Sequence, residues 1–209
     1  RTPFEEPGRQ PAYDTRLATA LLAARRGSDV GGDDDTDQAL RSKLWREWAA
    51  EMLPPPGRLS HPLALSDDLL DQLQHPALAD AARAHRRRLA TLLPDGGTDA
   101  GLDAALWAAC MVSSRPFRMA DAAGVAGAAM LTAFVPFIDM ANTRPRPEEL
   151  NCEVQGRAPA DGASEAGGYE AVGLVASRDL LPGEECLIPY FGPSTSASIF
   201  FRFGFVGAD

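Results

Sequence analysis

Apolar residues recur at helical spacing through the first half of the chain and at strand spacing in its last third. Leu17, Leu21 and Leu22 share one face of a helix that Asp14 is placed to cap. That helix is predicted to end near Arg25, Arg26 and Gly27, where basic residues and a glycine suit a C-terminus. Across 39–53, Leu40, Leu44, Trp48 and Met52 recur every four residues, which predicts a second helix with this row in the core, stopped by Pro54-Pro55-Pro56-Gly57. Ser66 followed by Asp67 and Asp68 predicts an N-cap and an acidic first turn for a short helix through Leu69, Leu70 and Leu73. Pro76 suits the first position of a helix running to Leu93 that carries Arg83, Arg86, Arg87 and Arg88. Residues 102–112 read as a buried helix leading into Ser113-Ser114-Arg115-Pro116-Phe117.

Beyond a Gly- and Ala-dense stretch at 120–130 the period shortens. Ala133-Phe134-Val135-Pro136-Phe137-Ile138 is a short apolar run expected to be buried, and 151–155 a short strand. Residues 170–177 alternate Val172, Leu174 and Ala176 with Ala171, Gly173 and Val175, a strand apolar on both faces. Leu181-Pro182-Gly183-Glu184 places proline and glycine for a type II turn, after which 185–190 is expected to return as the second strand of a hairpin. Ser194 is placed to cap a last helix through Ile199 and Phe203, broken by Gly204. Residues 1–12 are Pro-rich, polar and expected to be extended, and 28–37, 144–147 and 157–168 read as loops.

Composition narrows the function classes. The chain has 209 residues and is 45% hydrophobic, enough to bury a core. Its 20 Lys and Arg against 29 Asp and Glu give a formal charge of -9, which argues against nucleic-acid phosphates as a partner and suits a basic protein or peptide. No apolar run approaches the roughly 20 residues of a membrane span. Cys110, Cys152 and Cys186 have no CxxC or Cys/His spacing, so the expectation is reduced thiols, mostly buried, in a soluble intracellular setting, with no disulfide framework and no metal site. The acidic run at 33–37 lacks the ligand spacing of a calcium loop and reads as solvated. The basic helix suits an acidic partner or, more simply, a solvated face, and His61, His75 and His85 share no ligand spacing, so each is expected to be structural or exposed. A chain that starts with Arg is expected to be a fragment or a processed product.

Four polar residues are set in apolar surroundings: Arg115, Asp139, Asn142 and Tyr190. An arginine pairs with a carboxylate, a carboxamide donates and accepts, and a buried phenol needs a partner, so together they outline a ligand pocket in a helix-plus-sheet protein. Asp139 as a turn residue and Tyr190 as a core residue are the structural alternatives.

The order of the segments resembles the SET-domain protein methyltransferases, in the branch typified by plastid Rubisco large-subunit lysine methyltransferase, whose SET domain is split by a helical insert. Val112-Ser113-Ser114-Arg115-Pro116-Phe117 is similar to that branch's Ser-Arg-x-Phe segment. Val135-Pro136-Phe137-Ile138-Asp139-Met140-Ala141-Asn142 is similar to its "VPxxDxxNH" motif. Ala176-Ser177-Arg178-Asp179-Leu180-Leu181-Pro182-Gly183-Glu184-Glu185 is similar to "A.rdi..GEE", and Tyr190 with Phe203-Gly204-Phe205-Val206 is similar to the catalytic tyrosine and "YGFV". The helices at 45–53 and 65–93 look like the insert, and the resemblance covers about 14–206.

The resemblance implies an α+β fold, the catalytic half of a SET domain with short twisted strands and a hairpin behind an N-terminal helical insert. It divides the chain into an extended segment at 1–13, the insert at 14–110 and the C-terminal half of the SET domain at 111–209. It implies an S-adenosylmethionine-dependent protein-lysine N-methyltransferase acting on a protein or peptide as a monomer, with a plastid among the settings it admits. Tyr190 matches the catalytic phenol; Arg115, Asn142 and Thr143 match cofactor contacts; Ser114, Asp139 and Phe203 match positions on the substrate side. Thr143 stands where the family has histidine, Phe203 where it has tyrosine and Ser196 where it has asparagine. The family's glycine-rich cofactor strand has no counterpart before Asp14, and its following helical domain is not encoded here, so the resemblance implies part of a longer polypeptide. The alternative is a noncatalytic SET-like module that binds a protein partner.

Overall fold

Two tryptophans with almost no solvent exposure, Trp48 and Trp107, anchor the helical part of the protein. The computed structural model describes residues 11–26, 36–92, 99–119, 131–157, 171–192 and 194–206. These divide into two units, one formed by Arg1–Ser114 with Ser194–Val206 and the other chiefly by Arg115–Pro193. The fold class is α+β: six helices and two small antiparallel strand pairs among the described residues.

The helical unit contains α1 (Pro11–Arg26), α2 (Thr36–Glu47), α3 (Asp67–Gln72), α4 (Pro76–Leu92), α5 (Asp99–Ser114) and, later in sequence, α6 (Ser196–Phe203). α5 is buried along most of its length through Ala105, Trp107, Ala108, Ala109, Cys110, Met111 and Val112, as its composition predicts. Trp107 stays satisfied there because its indole Nε1 donates to the Pro54 carbonyl at 2.8 Å, while the Arg25 guanidinium lies 4.2 Å over its ring. Ser66 caps α3 as expected, accepting from the Leu69 amide at 3.3 Å. His75 caps α4, its Nδ1 accepting from the Leu78 amide at 3.2 Å.

The basic face of α4 is not simply solvated. Arg83 binds Asp71 at 2.7 Å and Asp67 at 3.3 Å. Arg86 donates to Asp67 at 3.1 Å and to the carbonyls of Leu63, Pro62 and Leu65, fastening α4 to the turn before α3. That turn, Pro62–Ala64, is capped by His61, whose Nδ1 accepts from the Leu63 amide at 3.2 Å. His61 is 4% exposed, and burial pushes its pKa down to about 4.

Several elements depart from expectation. α1 begins at Pro11, not after Asp14, so 11–13 are helical; proline is favoured at a first helical position because its missing amide hydrogen is unneeded there. α2 begins at Thr36, taking in residues expected to be loop, and the acidic positions 33–35 lie outside the described residues. The row Leu40, Leu44, Trp48, Met52 is not a core face: only Trp48 is buried, while Leu40 is 55%, Leu44 40% and Met52 41% exposed. A four-residue spacing drifts by about 40° per step around a helix of 3.6 residues per turn, and the coil also widens into a π-turn at Trp48–Met52. α6 is capped by Thr195, whose hydroxyl accepts from the Ser198 amide at 3.2 Å, in place of Ser194. α6 ends as expected at Gly204, which adopts φ +79.

The second unit contains β1 (Phe117–Met119) paired antiparallel with β2 (Leu131–Ala133), and β3 (Cys152–Arg157) paired antiparallel with β4 (Ala171–Ala176). The hairpin partner of β4 is therefore β3, not 185–190. The turn at 181–184 forms as expected, with Gly183 at φ +84 and the Glu184 amide bonded to the Leu181 carbonyl at 3.0 Å. A type II turn does not match the twist of paired strands. The chain beyond it is instead captured by earlier segments: Leu187 O accepts from the amides of Asn151 and Cys152, and Ile188 N donates to Asn142 O at 2.8 Å. The result is a single parallel bridge between Asn142 and Leu187. Nor is β4 buried on both faces, since Val175 is 42% exposed. The apolar run at 133–138 buries Phe134 but leaves Phe137 54% exposed in a turn at φ 70, ψ -42, a conformation costly for a residue with a Cβ. The Gly- and Ala-dense stretch at 120–130 lies outside the described residues.

Candidate active site

The polar residues singled out in the last third converge in the second unit. Asp139 sits in a one-turn 3₁₀ helix, Ile138–Met140, that places its side chain inward with no solvent exposure. Its Oδ2 accepts from Arg115 Nη1 at 3.0 Å, and the same nitrogen reaches the Asp139 carbonyl at 3.1 Å. An enclosed carboxylate requires such a counter-charge, and the Arg115 guanidinium supplies it through Nη1.

The chain turns outward after Ala141. The exposed carboxamide of Asn142 donates from Nδ2 to Glu185 Oε1 at 2.6 Å, and Arg144 Nη2 lies 3.0 Å from the other oxygen of the same carboxylate. Thr143, between Asn142 and Arg144 in sequence, is half-buried. Tyr190 comes back alongside, its hydroxyl donating to the Ala141 carbonyl at 2.5 Å. Burial raises the phenol's pKa, Arg115 opposes that shift, and the charges of Asp139 and Glu185 add to it. Tyr190 is thus a neutral hydrogen-bond donor at physiological pH, surrounded by one cation and two carboxylates.

Arg115, Asp139, Asn142, Thr143 and Tyr190 therefore belong to one unit, and the geometry links them through the 139–142 and 187–190 segments. Ser114 and Phe203 belong to the helical unit. Ser114 ends α5 with its hydroxyl on the Cys110 carbonyl at 2.8 Å, and the Phe203 ring in α6 is 5.8 Å from that of Phe205.

Two residues without a role in the sequence reading hold the site in place. Asn151 is 1% exposed and fully engaged: Oδ1 accepts from Leu187 N at 2.8 Å, and Nδ2 donates to Glu185 O at 2.9 Å and Glu184 Oε1 at 3.2 Å. Glu184 is held at a pKa of about 2, first by Arg178, then by the Leu181 amide and by Asn151. The available signal was one carboxamide opening a predicted strand and two glutamates following a turn, and neither pattern states its partner.

Among the described residues no group of three or more His, Cys, Asp or Glu side chains is placed to hold a metal ion. No protein-family model matches the chain, and no curated protein matches its sequence.

Proposed function

We propose that the protein is an S-adenosylmethionine-dependent protein-lysine N-methyltransferase, with its transfer site in the Arg115–Pro193 unit. The observation that carries this reading is the convergence of Arg115, Asp139, Asn142 and Tyr190, drawn from three separate stretches, onto one neighbourhood. These are four of the seven residues that the SET-domain resemblance singles out; Ser114 and Phe203 lie in the helical unit. A helical protein with an incidental strand pair gives no reason for those four to meet.

The residues fit the donor chemically. S-adenosylmethionine, when bound, supplies a methyl group on a sulfonium for in-line displacement by a neutral amine. The exposed Asn142 carboxamide, the Glu185 carboxylate and the Arg144 guanidinium form a set of donors and acceptors suited to its ammonium, carboxylate and hydroxyl groups. Arg115 serves at one remove, because it is committed to Asp139 and fixes the turn from which Asn142 projects. Tyr190 keeps its proton and offers a rigid phenol oxygen, whose part is to orient an incoming amine. Such a site works by positioning and asks little of acid–base chemistry.

A second reading, a SET-like module that binds a protein without transferring a methyl group, draws on Thr143 and Phe203 standing in place of the family's histidine and tyrosine. Radiolabelled methyl transfer to lysine-bearing protein substrates by the protein tests the first reading. Transfer that Tyr190→Phe leaves at wild-type level would remove Tyr190 from the chemistry. Absence of both transfer and calorimetric S-adenosylmethionine binding would leave the binding module.

A further inference from the structure

The first strand position of β3 lies between two other segments. On one side Cys152 is registered opposite Ala176 of β4; on the other its amide donates to the Leu187 carbonyl at 3.0 Å. The Asn151 side chain fixes the same junction through Leu187 N at 2.8 Å and Glu185 O at 2.9 Å. This clamp sets Cys186, the residue between those two bonded positions, beside Cys152. The two thiols are thereby brought onto adjoining segments, where the neighbouring Cys186 acts to raise the pKa of Cys152. Both are free thiols, Cys152 buried and Cys186 partly exposed, although nothing in their sequence spacing pairs them.

We propose that Cys152 and Cys186 form a reversible dithiol–disulfide couple, a modification site that oxidation by a low-molecular-weight disulfide closes. The partly exposed thiol has access to the oxidant and the buried one does not, which orders the steps. The Cys186 thiolate attacks one sulfur of the oxidant, forming a mixed disulfide and releasing one thiol. The Cys152 thiolate then attacks the Cys186 sulfur, forming the intramolecular bond and releasing the second thiol. Two electrons and two protons pass from the protein to the oxidant. Burial first, and the neighbouring Cys186 thiol second, raise the pKa of Cys152, which fits a resolving thiol over an attacking one. Cys110 is an internal control: it belongs to the helical unit, is 1% exposed, and burial pushes its pKa up to about 12. The closed bond would tie the start of β3 to the segment that leads into Tyr190, and the inference does not depend on that tyrosine's being catalytic.

Titration of the chain with a graded ratio of oxidised to reduced glutathione, followed by differential alkylation and peptide mass mapping, tests the couple. The expected result is a Cys152–Cys186 peptide pair that reverts on reduction, with Cys110 alkylated only after denaturation. Closure is also expected to raise the thermal midpoint by on the order of 10 °C, an increase absent in Cys186→Ser. In Cys152→Ser the mixed disulfide with glutathione is expected to accumulate on Cys186. A wild-type chain that stops at that same mixed disulfide, or keeps both thiols reduced across the whole ratio, would overturn the proposal.

Discussion

The Tyr190 hydroxyl donates to the Ala141 carbonyl at 2.5 Å, across 49 positions of sequence, and this bond ties the residue before Asn142 to the end of the 187–190 segment. The phenol is therefore both a structural strut and the group proposed to orient the acceptor amine. Tyr190→Phe removes one hydrogen bond and leaves the Ala141 carbonyl without this donor, a loss of about 1–2 kcal/mol in denaturant unfolding. If the phenol also orients the amine, methyl transfer falls by about a hundredfold while the fold persists. Comparing unfolding midpoint with turnover in the same variant separates the two roles.

Asn151 is the buried hub of the second unit, and its removal is expected to do more damage than that of any exposed site residue. Asn151→Ala leaves Leu187 N and Glu185 O without their side-chain partner in a region with little water, at a cost of about 2–4 kcal/mol. Asn151→Asp keeps the acceptor for Leu187 N but loses both donors and sets a second negative charge beside Glu184. It is expected to destabilise to a similar degree, and more strongly as pH rises. Chemical denaturation of both variants across neutral pH checks the sign.

His61 gives the helical unit an acid-sensitive stability term. Its folded pKa of about 4 lies below the ordinary 6.5, so between these values the unfolded chain binds more protons than the folded one. Stability therefore falls as pH drops through that window, by roughly 3 kcal/mol in full. His61→Asn, whose side-chain oxygen is able to replace Nδ1 as the acceptor for Leu63 N, is expected to flatten the slope between pH 6.5 and pH 4. Urea midpoints recorded at several pH values give the answer directly.

Two glycines with nearly the same φ differ sharply in their surroundings. A Cβ on Gly183 at φ +84 meets nothing within 4 Å, whereas one on Gly204 at φ +79 would lie 2.9 Å from the backbone nitrogen of His61. Gly183→Ala is thus expected to cost about 1–2 kcal/mol, the left-handed strain alone. Gly204→Ala adds a clash with a backbone that Ser60 further fixes through the Gly204 carbonyl at 2.7 Å, for a total of about 3–5 kcal/mol. Parallel thermal melts distinguish the two.

Local chemistry was the legible part of the sequence. Ser66 at the start of α3, Pro76 at the start of α4, Gly183 in its turn and Gly204 after α6 each act within a few residues, and each is found where its stereochemistry predicts. The apolar row on α2 misled because a four-residue spacing keeps no single face inward. The hairpin misled because a turn decides where a chain reverses and not which strand it meets; Asn142 and Asn151 made that choice from far away. For the site, Arg115, Asp139, Asn142 and Tyr190 were visible as polar residues in apolar settings, and they do meet. Asn151 and the Cys152–Cys186 pair were not visible, and Glu185 was visible only as part of a motif, because their significance lies in contacts between distant segments.

The parallel bridge at Asn142 and Leu187 bears on the order in which the protein assembles. The helices close on neighbours a few residues away, whereas this bridge requires most of the second unit's chain to be gathered before its first bond forms, an entropic cost that slows nucleation. In pulse-labelling hydrogen exchange, the amide of Ile188 should therefore gain protection after those of α4 and α5. A nascent chain will then carry its helices folded while the stretch leading to Tyr190 is still open to chaperones and to oxidants.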